Sequence, residues 1–133
     1  MADIEATTTS EEGYATTSVI GEWELTIDAT GEEGPTSNAV LAADYAACFI
    51  PALRVAANKE RVSDDIGTVE IDVSADLDDG DDLAAIAFDI QVEGSLGDSP
   101  DDVIARAKDI CHVHSALREG LHADISVEDE VEF

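Results

Sequence analysis

The sequence contains few basic residues. Among its 133 residues, 6 are Lys or Arg and 32 are Asp or Glu, so the formal net charge is −26. Proteins that bind nucleic acids or anionic membranes rely on clustered basic side chains. The deficit excludes a nucleic-acid-binding protein that works through a basic surface, and it argues against docking on a membrane. We therefore expect neither nucleic acid nor a membrane among the partners.

We also expect no targeting or membrane-spanning segment in the sequence. Its start, Met-Ala-Asp-Ile-Glu, has neither the basic nor the apolar region of a signal peptide. The most apolar stretch, residues 40–55, is interrupted by Asp44, Pro51 and Arg54. We expect a cytoplasmic protein, whose two cysteines, Cys48 and Cys111, are kept reduced rather than joined in a static disulfide.

The acidic residues are spread along the chain rather than gathered in a tail, and 44% of all residues are hydrophobic. This combination predicts an ordered core beneath an acidic surface, not a disordered chain. It is typical of adaptation to a cytoplasm at molar salt, where screening over roughly 3 Å suppresses repulsion between the acids. An acidic surface built to meet a basic partner is the alternative explanation.

The hydrophobic pattern predicts the order β-β-β-α-β-β-α-β in a single domain over residues 1–133. Strands are expected where β-branched residues cluster or where apolar and polar residues alternate. These segments are residues 3–9, 13–19, 22–28, 69–77, 86–92 and 123–127. Strands grouped around two helices belong to the α+β class. His122 is expected on the outward, exposed face of the last strand.

Each of the two predicted helices contains one cysteine. Residues 39–59 are apolar on nearly every side, which predicts a central buried helix, and Pro51 should kink or split it just after Cys48. The second helix is expected to begin after the capping Ser99 and to run to about Glu119, with Cys111 near its middle.

Cys48 and Cys111 are the best candidates for chemistry. From the residues alone, they are either two buried structural cysteines or a reactive pair. Cys111 and His114 share one helix face, and with Cys48 they would make a three-ligand, zinc-type set. The sequence offers no second closely spaced pair of ligands, so we expect neither a metal nor another cofactor.

Two segments resemble those of a known family. Residues 36–49, Thr-Ser-Asn-Ala-Val-Leu-Ala-Ala-Asp-Tyr-Ala-Ala-Cys-Phe, resemble the first cysteine helix of the OsmC/Ohr family (osmotically inducible protein C and organic hydroperoxide resistance protein). Residues 107–117, Ala-Lys-Asp-Ile-Cys-His-Val-His-Ser-Ala-Leu, resemble the second, where Cys-Pro-Val precedes a polar residue and Ala-Leu. The predicted element order also matches, so the resemblance covers almost the whole chain.

The resemblance implies an OsmC-like α+β fold with two central cysteine-bearing helices packed on an antiparallel sheet, in an intertwined homodimer. It also implies a thiol-dependent peroxidase that acts on organic hydroperoxides. Cys48 would attack the peroxide as a thiolate and become a sulfenic acid. Cys111 would then close a Cys48–Cys111 disulfide, and a dithiol such as dihydrolipoamide would restore both thiols.

The sequence departs from the family pattern around Cys48. Family enzymes hold the thiolate with an Arg from the N-terminal strands, whereas no Lys or Arg precedes Arg54 here. They also use a Glu about ten residues before the first cysteine, a position taken here by Asn38. Asp44 lies one helical turn before Cys48, where an ionised carboxylate would raise the pKa of the thiol.

Other groups could tune the thiolate or line a substrate pocket. Arg54, His112 and His114 are candidate replacement cations, although both histidines could equally be locally satisfied polar residues. Tyr45 and Trp23 could line an apolar pocket near Asn38, or simply pack in the core. The alternative to an enzyme is a non-catalytic OsmC-like module, for binding or redox sensing, that lacks the activating Arg and Glu.

Overall fold

The computed structural model describes residues 2–62 and 65–133. The elements in chain order are β1 (Thr7–Thr9), β2 (Ala15–Ile20), β3 (Trp23–Asp28), α1 (Ser37–Lys59), β4 (Val69–Leu77), β5 (Leu83–Val92), α2 (Pro100–Ile110), α3 (His112–Ala116), a 3₁₀ turn (Glu119–Leu121) and β6 (Asp124–Glu128). The chain divides into two compact units, one ending at Leu41 and one spanning Ala42–Phe133, and each contains a three-stranded sheet. The predicted α+β class is confirmed.

The sheet of the first unit is an antiparallel meander in the order β1-β2-β3. Gly21 adopts a φ of 61° in the tight turn that joins β2 to β3, and Ile20 lies opposite Trp23. The predicted alternation places Trp23 and Leu25 on one face. Such alternation predicts a half-buried strand, but Trp23 is 75% exposed and Leu25 is also exposed.

A buried carboxylate shapes the loop that leads from β3 to α1. Asp28 is 3% exposed, and its side chain accepts the backbone N–H groups of Thr30 and Glu33 at 2.8 and 3.0 Å, together with the Thr30 hydroxyl at 2.7 Å. These hydrogen bonds, those from Thr30 above all, lower the pKa of Asp28 because they favour its charged form. The Asp28 side chain therefore fixes two backbone groups of this loop.

The sheet of the second unit has the order β4-β5-β6. β4 and β5 are antiparallel, with Ile71 opposite Ile90 and Val73 opposite Phe88, so their apolar side chains share one face. β6 runs parallel to β5, and the expectation of a wholly antiparallel sheet is therefore wrong. The chain crosses over through α2 and α3 between these strands, and such a crossover is the connection that parallel neighbours require.

α1 supplies the other side of the core. Its buried residues recur every three or four positions, which makes one apolar stripe rather than the helix buried on all sides that the composition suggested: Ala42, Tyr45, Ala46, Phe49, Ala52, Leu53, Ala56 and Ala57. By length and composition alone α1 could span a membrane, but this stripe marks it as a core helix. Phe88 of β5 meets the rings of Tyr45 and Phe49 edge-on, with centroids 4.6 and 5.6 Å away.

Pro51 does not split α1, which continues from Ser37 to Lys59. A proline inside a helix leaves free the carbonyl oxygen four residues earlier, here that of Ala47. Pro51 and Ala47 are both exposed, so water can satisfy this oxygen without a break in the helix.

The second predicted helix is broken at Cys111, and the expectation that it runs to Glu119 is wrong. α2 ends at Ile110, Cys111 is extended with φ −67° and ψ 113°, and α3 begins at His112. The Cys111 sulfur accepts the backbone N–H of His114 at 3.5 Å, so the side chain caps α3. Cys111 therefore lies between two helices instead of within one.

Candidate functional site

The two cysteines meet in the second unit. Cys48 lies on α1 and is partly exposed, whereas Cys111 is buried at the junction of α2 and α3, and both are free thiols. Burial raises the pKa of the Cys111 thiol, the N–H of His114 opposes this rise, and the contact with the Cys48 side chain adds to it. Near neutral pH, Cys111 is therefore a protonated thiol beside a more accessible one.

A hydrogen-bonded phenol and imidazole lie next to the thiols. Tyr45 is fully buried, and its hydroxyl is 2.5 Å from Nδ1 of His114 while its oxygen accepts the N–H of Ala123 at 3.1 Å. Burial raises the pKa of Tyr45 and lowers that of His114, so both are neutral near pH 7. With Nδ1 of the neutral ring accepting from Tyr45, the proton of His114 is assigned to Nε2.

His122 completes this cluster, which sequence reasoning missed. Its ring stacks on that of His114 with centroids 3.9 Å apart and planes 24° apart, and its Nε2 donates to the carbonyl oxygen of Leu117 at 3.1 Å. The expectation of an exposed His122 on the last strand is wrong, because the 3₁₀ turn places it half-buried before β6. The sequence carries no local signal for this stacking.

The other candidate residues take no part in the cluster of Tyr45, His114 and His122 described above. Asp44 and His112 are exposed, and Arg54 forms an ion pair of 4.0 Å with Asp65. Trp23 and Asn38 belong to the first unit.

Two further cations of the second unit are also engaged. Arg106 bonds Glu60 at 3.1 Å, and Arg118 donates to the Leu83 carbonyl at 3.0 Å. Within residues 2–62 and 65–133, no group of three or more His, Cys, Asp or Glu is placed to hold a metal ion. The chemistry that this arrangement offers comes from two free thiols in contact.

Comparisons with known proteins agree on one family. A family model described as OsmC-like protein matches residues 28–126. A Haloferax volcanii protein described as uncharacterized is 52% identical over 128 residues, which are 96% of each chain. The solved structure of an OsmC-like protein from Mycoplasma pneumoniae matches with a TM-score of 0.74, 17% identity and 96% coverage of both chains. That of an organic hydroperoxide resistance protein OsmC from Legionella pneumophila matches with a TM-score of 0.65 and 25% identity, over 96% of this chain and 97% of that one.

Proposed function

The chain belongs to the family of OsmC-like proteins, and on this premise we propose that it is a thiol-dependent peroxidase that reduces organic hydroperoxides. The observation that carries the proposal is the contact between the partly exposed Cys48 and the buried Cys111. An accessible thiol beside a second one can be oxidised first and then resolved as a disulfide. The name of the Legionella relative, an organic hydroperoxide resistance protein, supports the choice of substrate.

The proposed reaction uses Cys48 as nucleophile. Its thiolate attacks one peroxide oxygen, the O–O bond breaks, and the other oxygen leaves with a proton as an alcohol, so that Cys48 becomes a sulfenic acid. Cys111 then displaces the sulfenic oxygen as water and closes a Cys48–Cys111 disulfide. A dithiol such as dihydrolipoamide reduces this disulfide and restores both thiols.

The direct test is a mass spectrum of the reduced protein after a few seconds with one equivalent of cumene hydroperoxide in molar KCl. Disulfide closure removes about 2 Da, and a sulfenic acid adds about 16 Da. We expect the loss in the wild type, no change in Cys48→Ser, and the gain in Cys111→Ser. A wild-type protein whose two thiols stay free would refute the peroxidase.

A non-catalytic OsmC-like module for binding or redox sensing is the second candidate function. It is favoured by the absence of Lys and Arg before Arg54 and by the engagement of Arg54, Arg106 and Arg118 with other groups. The pH dependence of Cys48 alkylation separates the two candidates. A midpoint well below about 8 supports the peroxidase, and one above about 9 supports the module.

We also propose that the protein acts as a homodimer in a cytoplasm of high salt. Ile20, Trp23 and Leu25 lie on one face of the first sheet and are all exposed. Neighbouring exposed apolar side chains of this kind mark interaction surfaces. Sedimentation equilibrium in molar KCl should give twice the chain mass of 14.0 kDa.

A further inference from the structure

The hydrogen bond between Tyr45 and His114 joins α1, which carries Cys48, to α3, which directly follows Cys111. Tyr45 lies on α1, one helical turn before Cys48, and His114 lies on α3, three residues after Cys111. The backbone N–H of His114 also donates to the Cys111 sulfur at 3.5 Å. The segment that carries Cys111 is thus tied to α1 within one turn of the place where the thiols meet.

The two partners of this bond differ in how firmly they are held. Tyr45 is fully buried, its ring packs edge-on against Phe88 at 4.6 Å, and its oxygen accepts the N–H of Ala123. α3 is only five residues long, and none of them is fully buried. With so little core packing of its own, α3 depends on contacts such as the bond from Tyr45 for its place against α1.

We propose that the Tyr45–His114 hydrogen bond is a clamp that holds Cys111 against Cys48 for disulfide closure, so that both are positioning residues. The inference rests on the proposed function for its oxidant, an organic hydroperoxide, which is reduced to an alcohol as Cys48 becomes a sulfenic acid. In the step that the clamp assists, the S–O bond of Cys48 breaks and the S–S bond forms. The hydroxyl leaves with the proton of Cys111 as water.

The clamp requires an unprotonated Nδ1 on His114, so acid should release it. The groups that act on this ring are Tyr45 from α1, Lys108 and Asp109 from α2, and His122 from the turn before β6. Burial and the positive charges of His122 and Lys108 disfavour the charged ring, and the carboxylate of Asp109 favours it. The clamp is therefore closed near neutral pH and opens only as the pH falls below the ordinary imidazole pKa of about 6.5.

The test measures how readily the two thiols close into a disulfide, using redox buffers of reduced and oxidised glutathione. The ratio of disulfide to dithiol at equilibrium, read by mass after acid quenching, gives an effective concentration of one thiol at the other. Glutathione supplies the oxidising equivalents, so the measurement does not depend on peroxidase activity. The variants are Tyr45→Phe, His114→Leu and His114→Asn, with Tyr14→Phe as the matched control at a tyrosine that is exposed.

We expect Tyr45→Phe and His114→Leu to lower the effective concentration about five- to tenfold, the range that one hydrogen bond supplies. His114→Asn, which keeps an acceptor near the position of Nδ1, should stay within about twofold of the wild type, as should Tyr14→Phe. If Tyr45→Phe does not fold, the two His114 variants still decide, because His114 is only half-buried and α3 has no fully buried residue. Wild-type values in His114→Leu, or no rescue in His114→Asn, would overturn the clamp.

The pH dependence provides a readout that a merely structural contact would not give. Ionisation of the thiols affects the wild type and His114→Asn alike, because both keep the two cysteines, so the difference between their curves reports on the clamp. As the pH drops below about 6.5, the effective concentration in the wild type should fall relative to that in His114→Asn, which has no imidazole to protonate. Parallel curves for the two proteins would overturn release by protonation. The variants could change disulfide closure as expected while hydroperoxide fails to oxidise the wild type. That result would refute the proposed function and leave the clamp standing.

Discussion

Apolar and polar residues alternate in both sheets of the molecule, but the apolar side chains are exposed in the first sheet and buried in the second. In β3 the apolar residues alternate with polar ones, yet Trp23 and Leu25 are exposed. In β5 the same alternation places Ile86, Phe88 and Ile90 in the core, each at most 3% exposed. The alternation shows that a strand has an apolar face, but it does not show what covers that face.

The two units also differ in how each is stabilised. Of residues 2–41, the structure buries only Asp28, whose carboxylate is satisfied within its own loop. The buried hydrophobic residues and both cysteines lie in the second unit. We infer that the second unit contains the core on which the thiol pair depends, and that the apolar face of the first sheet is completed by a second copy of the chain.

Truncating Phe88 should give the largest effect, because its ring is 1% exposed and meets both Tyr45 and Phe49. Phe88→Ala should lower the free energy of unfolding by about 3–5 kcal/mol, from lost apolar burial and the cavity left behind. Urea unfolding in molar KCl measures the change. Phe133→Ala is the matched control: that ring is 57% exposed, and its loss should cost less than about 0.5 kcal/mol. Equal effects in the two variants would contradict the placement of the core.

The next effect concerns the first sheet. Trp23→Ala should leave the core of the second unit intact and weaken self-association by about 2 kcal/mol, or roughly 30-fold, because large aromatic residues contribute most to interfaces. Sedimentation over a range of concentrations in molar KCl measures the dissociation constant. Glu24→Ala, on the same strand but the other face, should leave this constant within about threefold. If Trp23→Ala sediments as the wild type does, this face does not join two copies.

Local sequence patterns correctly predicted two strands of the second sheet. The alternation over residues 69–77 and 86–92 correctly identified β4 and most of β5, because burial of one face imposes a period of two on the side chains. The contact between Cys48 and Cys111 was expected from the family resemblance, which supplies the long-range information that a local pattern lacks.

Other features could not be predicted, because they depend on partners distant in the sequence. The parallel pairing of β6 with β5 depends on the crossover, and both parallel and antiparallel pairings fit the same alternation. The helix breaks at Cys111, whose sulfur caps α3. No proline or glycine near Cys111 in the sequence indicates this break. The cluster of Tyr45, His114 and His122 joins residues up to 77 positions apart through one hydrogen bond and one ring stack.

The smallest predicted effect concerns like charges that face each other across the strands, which occur in the second sheet but not in the described pairs of the first. Asp72 lies directly opposite Asp89 on β4 and β5, whereas no pair of acids is opposed in the described pairing of β1, β2 and β3. Like charges in this arrangement destabilise a sheet, so Asp72→Asn should raise the free energy of unfolding by about 0.5 kcal/mol at low salt.

The salt dependence of that gain identifies its cause. At molar KCl, charges are screened over roughly 3 Å, so the advantage of Asp72→Asn should vanish there. Glu24→Gln is the matched control, because Glu24 lies opposite the uncharged Val19 and removing its charge relieves no opposed acid. Urea unfolding of both variants at 0.1 M and 2 M KCl makes the comparison. A gain of equal size at both salt concentrations would show that the asparagine acts through hydrogen bonding or packing, and that repulsion between Asp72 and Asp89 is not the cause.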